Sequence, residues 1–154
     1  MNSTVIFRKP GPSNEDACCP PDESRNNRKV VMIVDDQSVV RRCLELTAKR
    51  ASFTEVETYD NAMSALDAFR LAPDSYQVVI TDYHMPGLTG TELIKRIQSI
   101  QPDQSIILMS AALSAKEAGI ENNPRCRFLR KPFDWLDLTR EIDDLENGRT
   151  AKRI

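Results

Sequence analysis

The chain has 154 residues, of which 40% are hydrophobic and 29% charged, and its formal net charge is -2. A near-neutral balance gives no electrostatic reason to expect direct contact with nucleic acid, and no run approaches the ~20 apolar residues of a bilayer span. The start MNSTVIFRKPGP lacks the apolar core and cleavage site of a secretory signal, so the expectation is a cytoplasmic protein without membrane contact.

Residues 1–28 hold four of the nine prolines and a single aromatic, Phe7. Such a stretch cannot bury enough apolar surface to offset its ordering entropy, and it reads as a disordered tail. Cys18 and Cys19 lie in it without metal-ligand spacing, while Cys43 falls in a helical pattern and Cys126 near a strand. Reduced, structurally incidental thiols are the expectation.

From Lys29 apolar runs of strand length alternate with helix-period segments. VVMIV (30–34) is a wholly apolar strand ending on Asp35-Asp36. Ser38 is placed to cap a helix running to Arg50, with Val40, Cys43, Leu44 and Thr47 on one face. TEVETY (54–59) alternates like a less buried strand. Asp60 or Asn61 then caps a helix over 61–71, with Ala62, Ala65, Leu66 and Phe69 inward and Pro73 beyond its end.

QVVIT (77–81) is the third strand and runs into Asp82, a loop follows at 83–90, and a helix over 91–100 carries Leu93, Ile94 and Ile97. SIILMS (105–110) is a fourth strand, 113–120 a short helix, and RFLR (127–130) a fifth strand. A helix from Phe133 to Glu146 places Trp135, Leu138, Ile142 and Leu145 on its core face, and Asn147-Gly148 stops it. Five strands alternating with helices, rich in Val and Ile, argue a doubly wound α/β domain: a five-stranded parallel sheet with helices on both faces. The domain is expected over 29–147, with a short tail at 148–154.

In such sheets the ligand site lies outside the carboxyl ends of the strands, where strand order reverses. The residues there are Asp35 and Asp36 on the first strand, Asp82 on the third, Ser110 on the fourth and Lys131-Pro132 after the fifth. Carboxylates brought this close repel one another unless a cation sits among them. Hard oxygen ligands suit Mg²⁺, which binds through one or two carboxylates plus a phosphate oxygen. Lys131 suits a phosphoryl group as a point charge, and the Ser110 hydroxyl can donate to another of its oxygens. A carboxylate can act as nucleophile to form an aspartyl phosphate, and Asp82, alone at its strand end, is the candidate.

The elements VVMIVDDQSVVRR, VVITDYHMPGLTG, ILMSA and FLRKP, in order and each at the end of its strand, resemble the receiver domain of two-component response regulators. The likeness runs from about 29 to 147 and is closest in kind to stand-alone, chemotaxis-type receivers. It implies a flavodoxin-like sheet in order 2-1-3-4-5. It also implies that Asp82 accepts a phosphoryl group from a sensor histidine kinase or a histidine phosphotransfer protein. Mg²⁺ would be held by Asp36 directly, by Asp35 mainly through water, by Asp82 and by the backbone carbonyl of His84. Lys131 would contact the phosphoryl oxygens and form a cis bond to Pro132, and Ser110 with Phe128 would form the switch pair.

The resemblance further implies a downstream target protein meeting the last helices and strand, a kinase meeting the helix after Asp36, and a phosphorylation-dependent dimer among the assemblies. Catalysis is not expected beyond self-phosphorylation from a small phosphodonor and slow self-dephosphorylation.

His84, Ala112 and the segment AGIENNPRCRF depart from the family pattern, the last replacing a longer helix, with Pro124 interrupting it. Two other readings use the same residues. One is a receiver-like scaffold that is never phosphorylated. The other is a small phosphatase of the haloacid dehalogenase type, whose two aspartates fall one residue apart, where this chain has Asp35, Asp36 and Gln37. After Gly148 only RTAKRI follows, which fits either a stand-alone receiver or the front of a longer chain.

Overall fold

Strand-length apolar runs can be buried on both faces only inside a sheet that helices cover on each side. In the computed structural model, which describes residues 29–148 apart from 52 and 54, this is how the chain folds. The elements are β1 (Val30–Val34), α1 (Ser38–Arg50), β2 (Glu55–Tyr59), α2 (Ala62–Leu71), β3 (Tyr76–Asp82), α3 (Gly90–Ile100), β4 (Ser105–Ser110), β5 (Cys126–Arg130) and α4 (Trp135–Glu146). All strand pairs are parallel, in order β2-β1-β3-β4-β5. Both the parallel sheet and the 2-1-3-4-5 order expected from the sequence are found. The tail at 1–28, with Cys18 and Cys19, and the residues after 148 lie outside the described residues.

Alternate side chains of each strand serve two separate cores. Val30, Met32 and Val34 face Leu66 and Phe69 of α2 and Leu93 and Ile97 of α3. Val31 and Ile33 face Leu44 and Ala48 of α1 and Leu138, Ile142 and Leu145 of α4. The edge strand β2 is less buried, as its alternation predicts.

The helix starts follow local chemistry. Asn61 caps α2 through its side-chain oxygen, which accepts from Ser64 N–H at 2.8 Å. Asn61→Ala is expected to destabilise the fold by about 1 kcal/mol; a urea titration checks this, and an unmoved midpoint would show that the cap contributes nothing. Thr89 with Glu92 and Asp134 with Asp137 form reciprocal capping boxes on α3 and α4.

Four expectations are corrected. Gln37, not Ser38, occupies the cap of α1, and its N–H is taken by Asp35 Oδ1 at 2.8 Å instead of by a side chain of the cap. On α1 the buried residues are Leu44 and Ala48, while Cys43 is exposed, because the helix meets the sheet along the four-residue spacing. Trp135 is not core but 52% exposed; it is the first residue of α4, ahead of the inward stripe that begins at Leu138. Residues 113–120 form no helix. A single turn spans 115–119, ended by Gly119 at φ 71°, which brings Ile120 N–H onto the Ala115 carbonyl at 3.1 Å. Only Gly enters that backbone region without steric cost, and Pro124 follows before the chain could rewind.

Candidate functional site

Register alone assembles the site. Val34 of β1 lies opposite Thr81 of β3, so the next residues, Asp35 and Asp82, leave the sheet side by side. Ser110 pairs with Arg130 across β4 and β5, so Lys131 follows immediately at the same end of the sheet.

Asp35 is fully buried, and Asp82 and Ser110 are nearly so. The Lys131 ammonium donates to Asp82 Oδ1 at 2.8 Å and to Asp35 Oδ2 at 3.3 Å, bridging the two carboxylates. Burial pushes the Asp35 carboxyl above its usual value, the Asp82 charge adding to the rise, while the Gln37 N–H and Lys131 oppose it. For Lys131 burial acts to lower the pKa, but the bond to Asp82 and the charges of both aspartates outweigh it and hold the ammonium above its ordinary value. The result is a protonated lysine between two carboxylates.

The other candidates are placed differently. Asp36, next in the chain, is exposed. His84 is exposed too, its ring set edge-on to Tyr83 at 4.8 Å between centroids. Ser110 Oγ accepts from the backbone N–H groups of Ala112 and Leu113, each at 3.2 Å, and so ties down the loop after β4. Phe128 is half-buried against the α2 and α3 core. The Lys131–Pro132 bond is cis.

Among the described residues no group of three or more His, Cys, Asp and Glu side chains converges on a metal position. Two adjacent strand-end carboxylates with hard oxygens nonetheless suit Mg²⁺, which keeps several of its waters and needs few protein ligands.

Two residues that the sequence did not single out also shape the site. Arg41, one turn into α1, donates to the Asp35 carbonyl and pins the β1–α1 connection. Gly90, at the start of α3, packs against the backbone of Asp82, and a side chain there would run into the Asp82 carbonyl oxygen. A glycine opening a helix just beyond a strand-end aspartate was the available signal for it.

Compared with known proteins, residues 31–143 match the family model described as "Response regulator receiver domain". The chain is 30% identical over 112 residues to the response regulator receiver protein CpdR of Brucella abortus, covering 72% of this chain and 91% of that one. It is 28% identical over 119 residues to a chemotaxis protein CheY homolog of Campylobacter jejuni, covering 72% and 87%. A solved response regulator receiver domain protein from Clostridium thermocellum superposes with a TM-score of 0.71 at 26% identity, covering 77% of this chain and 94% of that chain.

Proposed function

We propose, from the premise that this chain belongs to the response regulator receiver domain family, that it accepts a phosphoryl group from a phosphohistidine onto Asp82. Receiver domains are generally phosphorylated on an aspartate in two-component signalling, generally require Mg²⁺ for it, and are generally phosphoacceptors without enzymatic activity of their own. The observation that carries the reading here is the Lys131 ammonium held between Asp82 and Asp35 at the carboxyl end of the sheet.

An Asp82 carboxylate oxygen attacks phosphorus, the phosphorus–nitrogen bond of the donor breaks, and the donor imidazole leaves with the electron pair. Lys131, already hydrogen-bonded to Asp82, turns toward the incoming phosphoryl oxygens and screens their charge. Asp36, Asp35, Asp82 and the His84 carbonyl are the groups that would hold Mg²⁺. When bound, that ion neutralises charge on the transferring phosphoryl group. The Ser110 hydroxyl then turns to the phosphoryl, loosening its hold on Ala112 and Leu113, and Phe128 moves in behind it. The changed surface at the loop after β4, β5 and α4 is the one offered to a target protein. The donor, a sensor kinase or phosphotransfer protein, docks beside α1, in the cytoplasm.

The test is the intact mass of the full chain after incubation with acetyl phosphate and Mg²⁺. One phosphoryl adduct is expected, and chelation of the metal beforehand is expected to prevent it. A chain that binds Mg²⁺ and is folded, yet gains no adduct from acetyl phosphate or from any phosphohistidine donor, is a scaffold and not a phosphoacceptor.

A further inference from the structure

Helices α1 and α4 follow β1 and β5 directly, and because the sheet is parallel both start at its carboxyl end and run back along the same face. They therefore lie parallel to each other. An open apolar groove of about 410 Å³ separates the first turns of α1 from Pro132 and Phe133, the segment that leads into α4. Four large apolar side chains on these two helices are left in solvent: Val39 and Leu46 on α1, Trp135 and Leu136 on α4, from 42% to 73% exposed.

Each helix carries a seam of outward residues. On α1 the exposed Val39, Cys43, Leu46 and Arg50 recur at spacings of four, three and four. On α4 the exposed Leu136, the half-buried Thr139 and the exposed Asp143 and Glu146 recur at three, four and three. Such spacing belongs to helices that pack side by side along their length. Both seams begin apolar and end charged, and the charges are of opposite sign. Over its whole length α1 has four basic residues and one acidic, α4 five acidic and one basic. A face with a basic half beside an acidic half is complementary to itself.

We propose that two copies of this chain associate through this face as an isologous dimer. A two-fold axis running between the two helices, and along them, sets α1 of one copy on α4 of the other, parallel and start against start. Trp135 and Leu136 then lie against the partner's Val39 and Cys43 at the mouth of the groove. At the far end Asp143 meets the partner's Arg50, whose long side chain leans back toward the start of its helix. Pairing α1 with α1 would oppose like charges instead. The dimer covers α1, the helix beside which the phosphodonor docks, and so withholds the chain from a protein donor. That consequence rests on the phosphoacceptor reading, whereas the dimer does not.

The experiment is sedimentation equilibrium of the full, unphosphorylated chain under reducing conditions, from micromolar to millimolar protein, at low and high salt. A monomer–dimer equilibrium is expected, weaker at high salt because its charge pairs are screened. Arg50→Glu is expected to weaken the dimer about tenfold, since a two-fold interface feels each reversal twice, and Asp143→Arg to do the same. Both changes in one chain are expected to restore it, because acid and base have merely exchanged helices. The two positions are exposed, and a thermal melt of each variant verifies its fold. A wild type that stays monomeric throughout, or dimerises without salt dependence, overturns the proposal. So does a dimer indifferent to Arg50→Glu, or a double reversal no better than either single one. None of these readings involves phosphoryl transfer, so failure of the phosphoacceptor reading leaves the result intact.

Discussion

Asp82→Asn is expected to abolish phosphoryl uptake completely while leaving the protein folded. The amide is nearly isosteric with the carboxylate but is not a nucleophile toward phosphorus, so no acyl phosphate forms. The fold should tolerate it because Lys131 is then left with Asp35, the deeper of its two partners and fully buried. Removing Asp82 also takes away a like charge that raises the Asp35 carboxyl. Lys131 keeps one of its two carboxylate partners, so the ammonium is not left unpaired. Intact mass after acetyl phosphate treatment and a thermal melt together check the expectation. An adduct on the variant would place the acceptor elsewhere; an unfolded variant would mean that Asp82 is chiefly a structural partner of Lys131.

Gly90→Ala is expected to destabilise the domain by about 3 kcal/mol, at the upper end of what an added methyl does to a packed interior. The reason is the nature of the obstacle. The new Cβ meets the main-chain carbonyl of Asp82 as well as Leu108 Cδ1 at 2.8 Å, and a backbone carbonyl cannot rotate aside as a side chain can. Either α3 withdraws from the sheet or the end of β3 moves, and the second carries the acceptor carboxylate with it. The melting midpoint is expected to fall by roughly 10 °C, and the remaining folded protein to take up phosphoryl more slowly. Trimming the other neighbour with Leu108→Ala should not restore either property. Restoration would show that Leu108, and not the Asp82 backbone, sets the limit, and a midpoint unchanged in the single variant would mean that the helix start yields freely.

Much of the fold is legible in the sequence because burial on both faces demands unbroken apolar runs, and VVMIV, VVIT and SIILM supply them. The strand-end residues Asp35, Asp82, Ser110 and Lys131 follow at once, since in an open parallel sheet the polar residue that ends a buried strand lies on the ligand side. Helix ends were legible where a cap was at hand, as at Asn61. They were misjudged by a residue where a local turn intervened, as at Gln37, whose N–H donates to the Asp35 carboxylate two residues back.

What the sequence by itself determined is thus the alternation of elements, the class of sheet and the types of group gathered at its carboxyl end. These depend on local periodicity and on chain order. The tertiary structure decided the rest, because it depends on groups distant in sequence. Register β1–β3 sets Asp35 beside Asp82, and the 3.3 Å and 2.8 Å bonds of Lys131 reach them from 96 and 49 residues away. Trp135 faces outward because α4 begins there, before its buried stripe. Arg127, the first residue of the run RFLR read as the fifth strand, is 4% exposed, its guanidinium 3.6 Å from Glu141 on α4 and bonded to the Pro124 carbonyl. A buried charge of that kind is stable only where partners converge on it from other elements, and no local pattern records where those partners will be.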